Sequence, residues 1–270
     1  MKKIVHVSDI HFGKADEVVA GELFEKVNEL SPDLMIVSGD LTQRARRGQF
    51  RDARAFLDRF MMPKIIVPGN HDIPLYNVIA RFARPLKKYN EFFGDDHEPW
   101  FFDGELAVAG VNTARSLTVK GGRINEEQVE RLRTRLNEVD NNVLKIVVSH
   151  HPFDLPETFD DDDIVGRAKR FMPELANCGA DLFLAGHLHV SAITNSAHRY
   201  NLEDGRSALV IQAGTATSTR ERGQENSFNF LEYVKPRLTI KRYECSNASR
   251  GFQLAANEQY IQSERGWTVV

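Results

Sequence analysis

Five short apolar runs in this chain each stop at residues that can hold a metal ion, and this pattern limits the fold more than any other feature. Ile4–Val7 runs into Ser8-Asp9-Ile10-His11, and Leu34–Val37 into Ser38-Gly39-Asp40. Lys64–Val67 runs into Pro68-Gly69-Asn70-His71-Asp72, Val143–Val148 into Ser149-His150-His151-Pro152, and Leu182–Ala185 into Gly186-His187-Leu188-His189. Apolar runs of this length, closed by Gly and Pro, read as buried strands. In α/β folds, ligands gather at the carboxyl ends of such strands.

Helical patterns separate the runs. Residues 17–30 place Val18, Leu23, Val27 and Leu30 at roughly helical spacing, and 48–60 place Phe50, Ala53, Phe56, Leu57 and Phe60 on one side. The spacing also predicts helices over 125–138 and 168–177, and over 75–94 with a break at Pro85. Further β runs fall at 100–103 and 106–111. From 190 onward the segments 190–195, 207–213, 227–234 and 237–244 suggest antiparallel pairing. The expected fold is α/β, with sheet inside and helices outside, and with two sheets because one compact sheet cannot take so many strands. The expected organisation is one domain over 1–245, then a polar, weakly patterned stretch over 246–270 that reads as a tail or a surface extension.

The bulk properties exclude several classes. A net charge of -3 over 270 residues gives no global electrostatic reason to hold nucleic acid. Cys178 and Cys245 have no metal-type spacing and form no disulfide framework, which fits a reducing compartment. His6, Ser8, Asp9 and His11 interrupt the run after Met1-Lys2-Lys3, so no export signal is expected. No stretch approaches the ~20 apolar residues of a membrane span. The expectation is a soluble cytoplasmic protein without a membrane partner, with oligomer formation open.

Six of the nine histidines lie in the five strand-end clusters. Random placement would scatter them over helices and loops. Imidazole, carboxylate and amide oxygen form a ligand set suited to manganese, iron or zinc. The absence of thiolate argues against a structural zinc cage. Asp9-x-His11 and His187-x-His189 are i, i+2 pairs, which can aim two side chains at one centre from a loop leaving a strand. Seven ligands are too many for one ion with an open position. They fit two ions sharing a carboxylate, a device for in-line displacement at phosphorus.

The order Asp-x-His, Gly-Asp, Gly-Asn-His-Asp, His, Gly-His-x-His resembles the calcineurin-like metallophosphoesterase superfamily, with every block present between about residues 3 and 235. Within it, the chain is most similar to bacterial class III cyclic nucleotide phosphodiesterases and related glycerophosphodiesterases. The resemblance implies a four-layer αββα fold, a two-sheet sandwich flanked by helices. It implies one metal on Asp9, His11, Asp40 and His189 and another on Asp40, Asn70, His150 and His187, with Asp40 bridging and a bridging hydroxide as nucleophile. His71 would stabilise the transition state or protonate the leaving oxygen, and Asp72 would orient and charge His71. Of the histidine pair, His150 is the implied ligand and His151 a contact to substrate or to the ligand shell.

The implied function is metal-dependent hydrolysis of a small phosphodiester, a cyclic nucleotide or a glycerophosphodiester. A nuclease or a lipid-linked pyrophosphate hydrolase would use the same site. The first lacks basic balance here. The second needs an apolar lid, for which 75–94 is the only candidate, and its Arg81, Arg84, Lys87 and Lys88 make it amphipathic. A scaffold that had lost catalysis would not be expected to keep His71 and all seven ligands.

Weaker features follow. Arg44, four residues beyond Asp40, is a candidate phosphate contact. Arg47, Arg51 and Arg54 read as a solvated helix face, and Asp160–Asp163 as a solvated loop or helix start. Tyr76, Asn77 and Tyr89 could line a pocket but suit packing better. His6, His97 and His198 carry no assigned role. The polar segment 215–226 could approach the site as a loop.

Overall fold

The computed structural model describes residues 1–118, 120–156, 158–200, 202, 207–219, 225–246 and 251–270. Two sheets stack face to face. The first contains β1 (Lys2–Val7), β2 (Leu34–Val37), β3 (Lys64–Ile66), β10 (Asn226–Val234), β11 (Arg237–Cys245), β12 (Gln253–Ser263) and β13 (Gly266–Val269), in the order β13-β12-β11-β10-β1-β2-β3. The second contains β4 (Trp100–Phe102), β5 (Leu106–Gly110), β6 (Leu144–Val148), β7 (Leu182–Ala185), β8 (Ala192–Asn195) and β9 (Leu209–Gln212), in the order β4-β5-β6-β7-β9-β8. Strands β1, β2 and β3 run parallel, as do β5, β6, β7 and β9.

The strands are apolar throughout because both faces are covered. Ile4, Leu34, Ile36, Leu144, Ile146, Leu182 and Leu184 point into the layer between the sheets. Their neighbours Val5, Val7, Met35 and Val37 face the helices of the first sheet, and Val147 and Phe183 face those of the second. Helices α1 (Glu17–Leu30) and α2 (Arg47–Leu57) close the first outer layer with Leu23, Val27, Phe50, Ala53 and Phe56. Helices α5 (Glu126–Asn137) and α6 (Ala168–Asn177) close the other with Val129, Leu132, Phe171, Met172 and Leu175. Asp16 caps α1 and Asn125 caps α5 by accepting from first-turn N–H groups. The result is the expected αββα sandwich.

Three details differ from the sequence reading. First, 75–94 is two short helices, α3 (Val78–Ala83) and α4 (Lys87–Phe93), parted around Pro85 because Pro disfavours helix at the residue before it. Second, β9 lies antiparallel to β8 but parallel to β7, so the change at residue 190 is not a switch to purely antiparallel pairing. Third, the 246–270 stretch, read as a tail or a surface extension without strands of its own, supplies β12 and β13, which extend the first sheet past β11. Phe252, Tyr260 and Trp267 are buried there. The pattern was weak because most of β12 is exposed on both faces, so hydrophobic alternation is lost. Cys178 and Cys245 are buried free thiols. No helix among the described residues is long and apolar enough to cross a membrane.

Candidate metal centre

The loops after β1, β2 and β3 in one sheet meet those after β6 and β7 in the other, and the five strand-end clusters converge. In the first group His11 Nε2 lies 3.0 Å from His189 Nε2, 3.5 Å from Asp9 Oδ1 and 3.7 Å from Asp40 Oδ2. His189 Nε2 is 3.2 Å from the same Asp9 oxygen. All four side chains are buried. Two imidazole lone pairs cannot face each other at that distance without a proton or a cation between them. Asp9 Oδ1 and the Nδ1 atoms of His11 and His189 have no hydrogen-bond partner in the protein. Buried polar atoms are nearly always paired, so an unpaired carboxylate oxygen among converging nitrogens fits a bound cation.

The second group shares Asp40. Asp40 Oδ1 lies 3.4 Å from His150 Nε2, which is 3.0 Å from Asn70 Oδ1. His150 Nδ1 donates to the Ser38 carbonyl at 2.8 Å, which turns Nε2 toward Asp40. The His187 ring lies against that of His150, with centroids 5.1 Å apart. Asp40 thus presents one carboxylate oxygen to each group.

The backbone explains how i, i+2 pairs reach one centre. Asp9, His11, Asp40, His187 and His189 all have φ between 46° and 80°, the left-handed region that costs a non-glycine residue roughly 1–3 kcal/mol. Neighbouring groups hold these turns in place. The Asp9 N–H donates to Gly39 O, and His11 N–H to Asp40 O. Asp9 Oδ2 accepts from His187 N–H and from Ser8 Oγ. Thr215 Oγ1 and Thr217 Oγ1 donate to the carbonyls of Asp9 and Ile10. The loop after β9 therefore approaches the site from behind, through hydroxyls; Arg220–Gln224 of that segment lie outside the described residues. Gly69 is needed for close approach, since a Cβ there would sit 2.1 Å from Asp40 Oδ1, and one on Gly186 would sit 1.8 Å from Ser8 Oγ.

His71 stands at the edge of the group. Its N–H donates to Asp40 Oδ1 at 2.8 Å, and its Nδ1 lies 3.0 Å from the Gln43 carbonyl. Arg44 Nη1, a donor, also lies 3.3 Å from Nδ1, but the Gln43 carbonyl is closer and only accepts, so Nδ1 carries a proton and Nε2 faces inward, 4.0 Å from Asp40 Oδ2. The Asp72 carboxylate accepts from the N–H groups of Leu41, Thr42 and Gly69 and from Thr42 Oγ1, tying the Asp40 loop to the Asn70 loop. The carbonyl of Gln43 holds the His71 ring at Nδ1. His151 is placed differently from a substrate contact. It is fully buried, its Nδ1 accepts from Thr113 Oγ1, and its Nε2 donates to the Lys120 carbonyl. With both nitrogens engaged, it backs the His187 ring, 4.4 Å away between centroids.

Charge is unevenly placed. Burial alone would raise Asp40, but the adjacent histidines, His150 first and then His71, hold it far below the usual carboxylate range. Burial and then the Asp40 charge push Asp72 up to about 6. Burial works against a proton on His150, yet the Asp40 carboxylate raises it to about 9. Burial, with His150 next, lowers His187 to about 3 and keeps it neutral, the form in which imidazole binds metal.

A cleft of about 260 Å³ opens over the group, lined by Asp40, Asn70, His71, His187 and His189 together with Arg44, Gln43, Lys120 and Asp163. Arg44 is among the lining residues, with Nη1 donating to the Gln43 carbonyl at 2.9 Å and the guanidinium 6.0 Å from the Tyr76 ring. Lys120 and Asp163 carried no recognisable signal; Asp163 was read as part of a solvated acidic run. Arg47, Arg51 and Arg54 pair at the surface with Glu91, Asp52 and Asp58. Tyr89 is buried and bonds the Ile66 carbonyl, and Asn77 caps α3.

This sandwich, with Asp, Asn and His donors at the strand ends, defines a protein of the metallophosphoesterase class. The chain belongs to the calcineurin-like phosphoesterase family, whose pattern matches residues 2–191. It is 26% identical over 195 residues to an uncharacterised protein, YpbG, of Bacillus subtilis, covering 69% of this chain and 60% of the relative. It is 25% identical over 177 residues to a probable cyclic nucleotide phosphodiesterase of Synechococcus, covering 64% of each. The chain thus matches less than two thirds of the length of these relatives. The structure of a purple acid phosphatase from yellow lupin seeds superposes with a TM-score of 0.74 at 12% identity, covering 98% of this chain and 54% of that one, a likeness of fold.

Proposed function

We propose that the chain hydrolyses a phosphodiester bond in a small substrate, a cyclic nucleotide or a glycerophosphodiester, using two divalent cations of the manganese, iron or zinc type. The observation that carries this reading is Asp40, whose two oxygens face two separate donor groups. Asp9, His11, Asp40 and His189 would hold one cation, and Asp40, Asn70, His150 and His187 the other. Bound there, the cations neutralise phosphoryl oxygens and acidify a water nucleophile. The chain's own groups do the rest. Arg44 faces the cleft and offers a planar pair of donors to a phosphoryl oxygen. His71, with Nδ1–H fixed on the Gln43 carbonyl, delivers a proton from Nε2 to the leaving alkoxide. The small cleft and the net charge of -3 favour small diesters over nucleic acid.

The test is initial rates with manganese against 3′,5′-cyclic AMP, 2′,3′-cyclic AMP, glycerophosphoethanolamine, bis(p-nitrophenyl) phosphate and p-nitrophenyl phosphate. One natural diester should turn over far faster than the monoester. Turnover of the monoester alone would sink the diesterase reading.

A further inference from the structure

Helix α3 has its amphipathicity inside out. Arg81 faces inward, 6% exposed, and its guanidinium donates to the carbonyls of Pro74, Arg115, Ser116 and Thr118. Those four bonds fasten α3 to the 115–118 loop. The outward face carries Val78, Ile79 and Phe82, which are 62%, 82% and 55% exposed and share one side of the helix at i, i+1 and i+4. Tyr76 and Leu117, on the segments that Arg81 joins, are also exposed. An ordinary surface helix shows the opposite arrangement. Grouped exposed apolar side chains of this kind mark an interaction surface.

The charge around the patch indicates what covers it. Residues 73–90 contain Arg81, Arg84, Lys87 and Lys88 and no Asp or Glu, in a chain of net charge -3. A mostly apolar groove of about 330 Å³ lies between α3 and α4, lined by Ile79, Ala80 and Ala83 together with Arg84, Lys87 and Lys88. Lys88 donates to the Ala45 carbonyl, while Arg84 and Lys87 are exposed. Protruding aliphatic and aromatic side chains flanked along the chain by these cations match the headgroup boundary of an anionic bilayer. A protein partner would be met more commonly by a surface of mixed charge.

We propose that the outward face of α3, with Arg84 and Lys87, docks this protein peripherally on an anionic phospholipid surface. The sequence reading expected no membrane partner; it weighed spanning segments, which need length, and this surface needs only a short helix turned outward. Leu75, at the start of the patch, also lines the metal-site cleft, so docking would set the cleft mouth beside the lipid headgroups.

Binding is measured without turnover, so it stands or falls apart from the hydrolase reading. The full chain is co-sedimented with vesicles of equal phosphatidylglycerol and phosphatidylcholine, and with vesicles of phosphatidylcholine alone. The wild type should pellet with the anionic vesicles and not with the neutral ones. Ile79→Asp/Phe82→Asp and Arg84→Glu/Lys87→Glu should each lower the bound fraction at least about fivefold. The milder Ile79→Ser, compared with wild type by thermal melting, guards against misfolding and should weaken binding in the same direction. A wild type that stays in the supernatant overturns the proposal, as does binding indifferent to all three variants. A concentration-dependent dimer in sedimentation velocity that Ile79→Asp/Phe82→Asp dissolves also overturns it, because a second copy then covers the patch.

Discussion

The ring of His71 is held by the backbone carbonyl of Gln43, with Nδ1 and the oxygen 3.0 Å apart, and this contact decides which nitrogen meets the substrate. A backbone acceptor cannot be removed by changing the Gln43 side chain, so the orientation is written into the loop after Asp40.

If Nε2 of His71 protonates the leaving oxygen, the cost of losing it depends on the leaving group. His71→Ala should lower kcat by roughly 10²–10⁴ for a natural alkoxide leaving group. It should act much less on bis(p-nitrophenyl) phosphate, whose phenolate leaves without a proton. Equal losses on both substrates would remove His71 from the acid role.

Asp72 and His71 adjoin in sequence but should separate in experiment. Asp72→Ala leaves the N–H groups of Leu41, Thr42 and Gly69 without their buried acceptor. Each such group costs ~1–3 kcal/mol, so thermal unfolding of the metal-free protein should fall by several degrees or more. His71→Ala, at a rim position 21% exposed, should leave the melting temperature close to wild type. If Asp72→Ala melts like wild type while losing only activity, the carboxylate acts through His71 after all.

Much of this was legible in the sequence, for identifiable reasons. Strands buried on both faces appear as unbroken apolar runs, so β1, β2, β6 and β7 stand out, and their ends located the site. What escaped depends on contacts between residues distant in the chain. Nothing local shows that Thr215 and Thr217 bond the loop holding Asp9, or that Lys120 reaches the cleft. Nor does anything local show that His151 engages both nitrogens. Nor does adjacency to His71 reveal that the Asp72 carboxylate accepts from the N–H groups of Leu41, Thr42 and Gly69. β12 escaped because an exposed strand has no hydrophobic face to alternate.

The strained, charge-bearing turns make a further prediction about metal-free protein. Asp40→Asn removes a buried charge and places the residue type most tolerant of positive φ, after glycine, at a position with φ of 52°. In chelator near neutral pH this variant should be less stable than wild type, because despite its burial the Asp40 carboxylate is held ionised by His150 and His71, and the fold draws stability from that charge. Manganese at a hundredfold excess over its Kd should stabilise the wild type by ~2.7 kcal/mol and the variant far less. Differential scanning calorimetry with and without manganese reads both. A variant that gains as much as wild type would show that Asp40 does not hold the metal.

The pH dependence of metal binding follows from His150. In the metal-free fold its Nδ1 donates to the Ser38 carbonyl and its Nε2 faces Asn70 Oδ1, so both nitrogens carry protons, and Asp40 raises the ring to about 9. A ligand must present a lone pair, so a cation has to displace the Nε2 proton. Because the group is raised, the proton competes at every pH below about 9. Affinity should therefore climb as pH rises from 6 to 9, by up to about tenfold per unit for this one proton. Titration calorimetry at pH 7.5 in buffers of different ionisation enthalpy should show close to one proton released for the ion held by His150. Heats independent of buffer, with affinity flat across that range, would mean that His150 is already neutral or does not bind the ion.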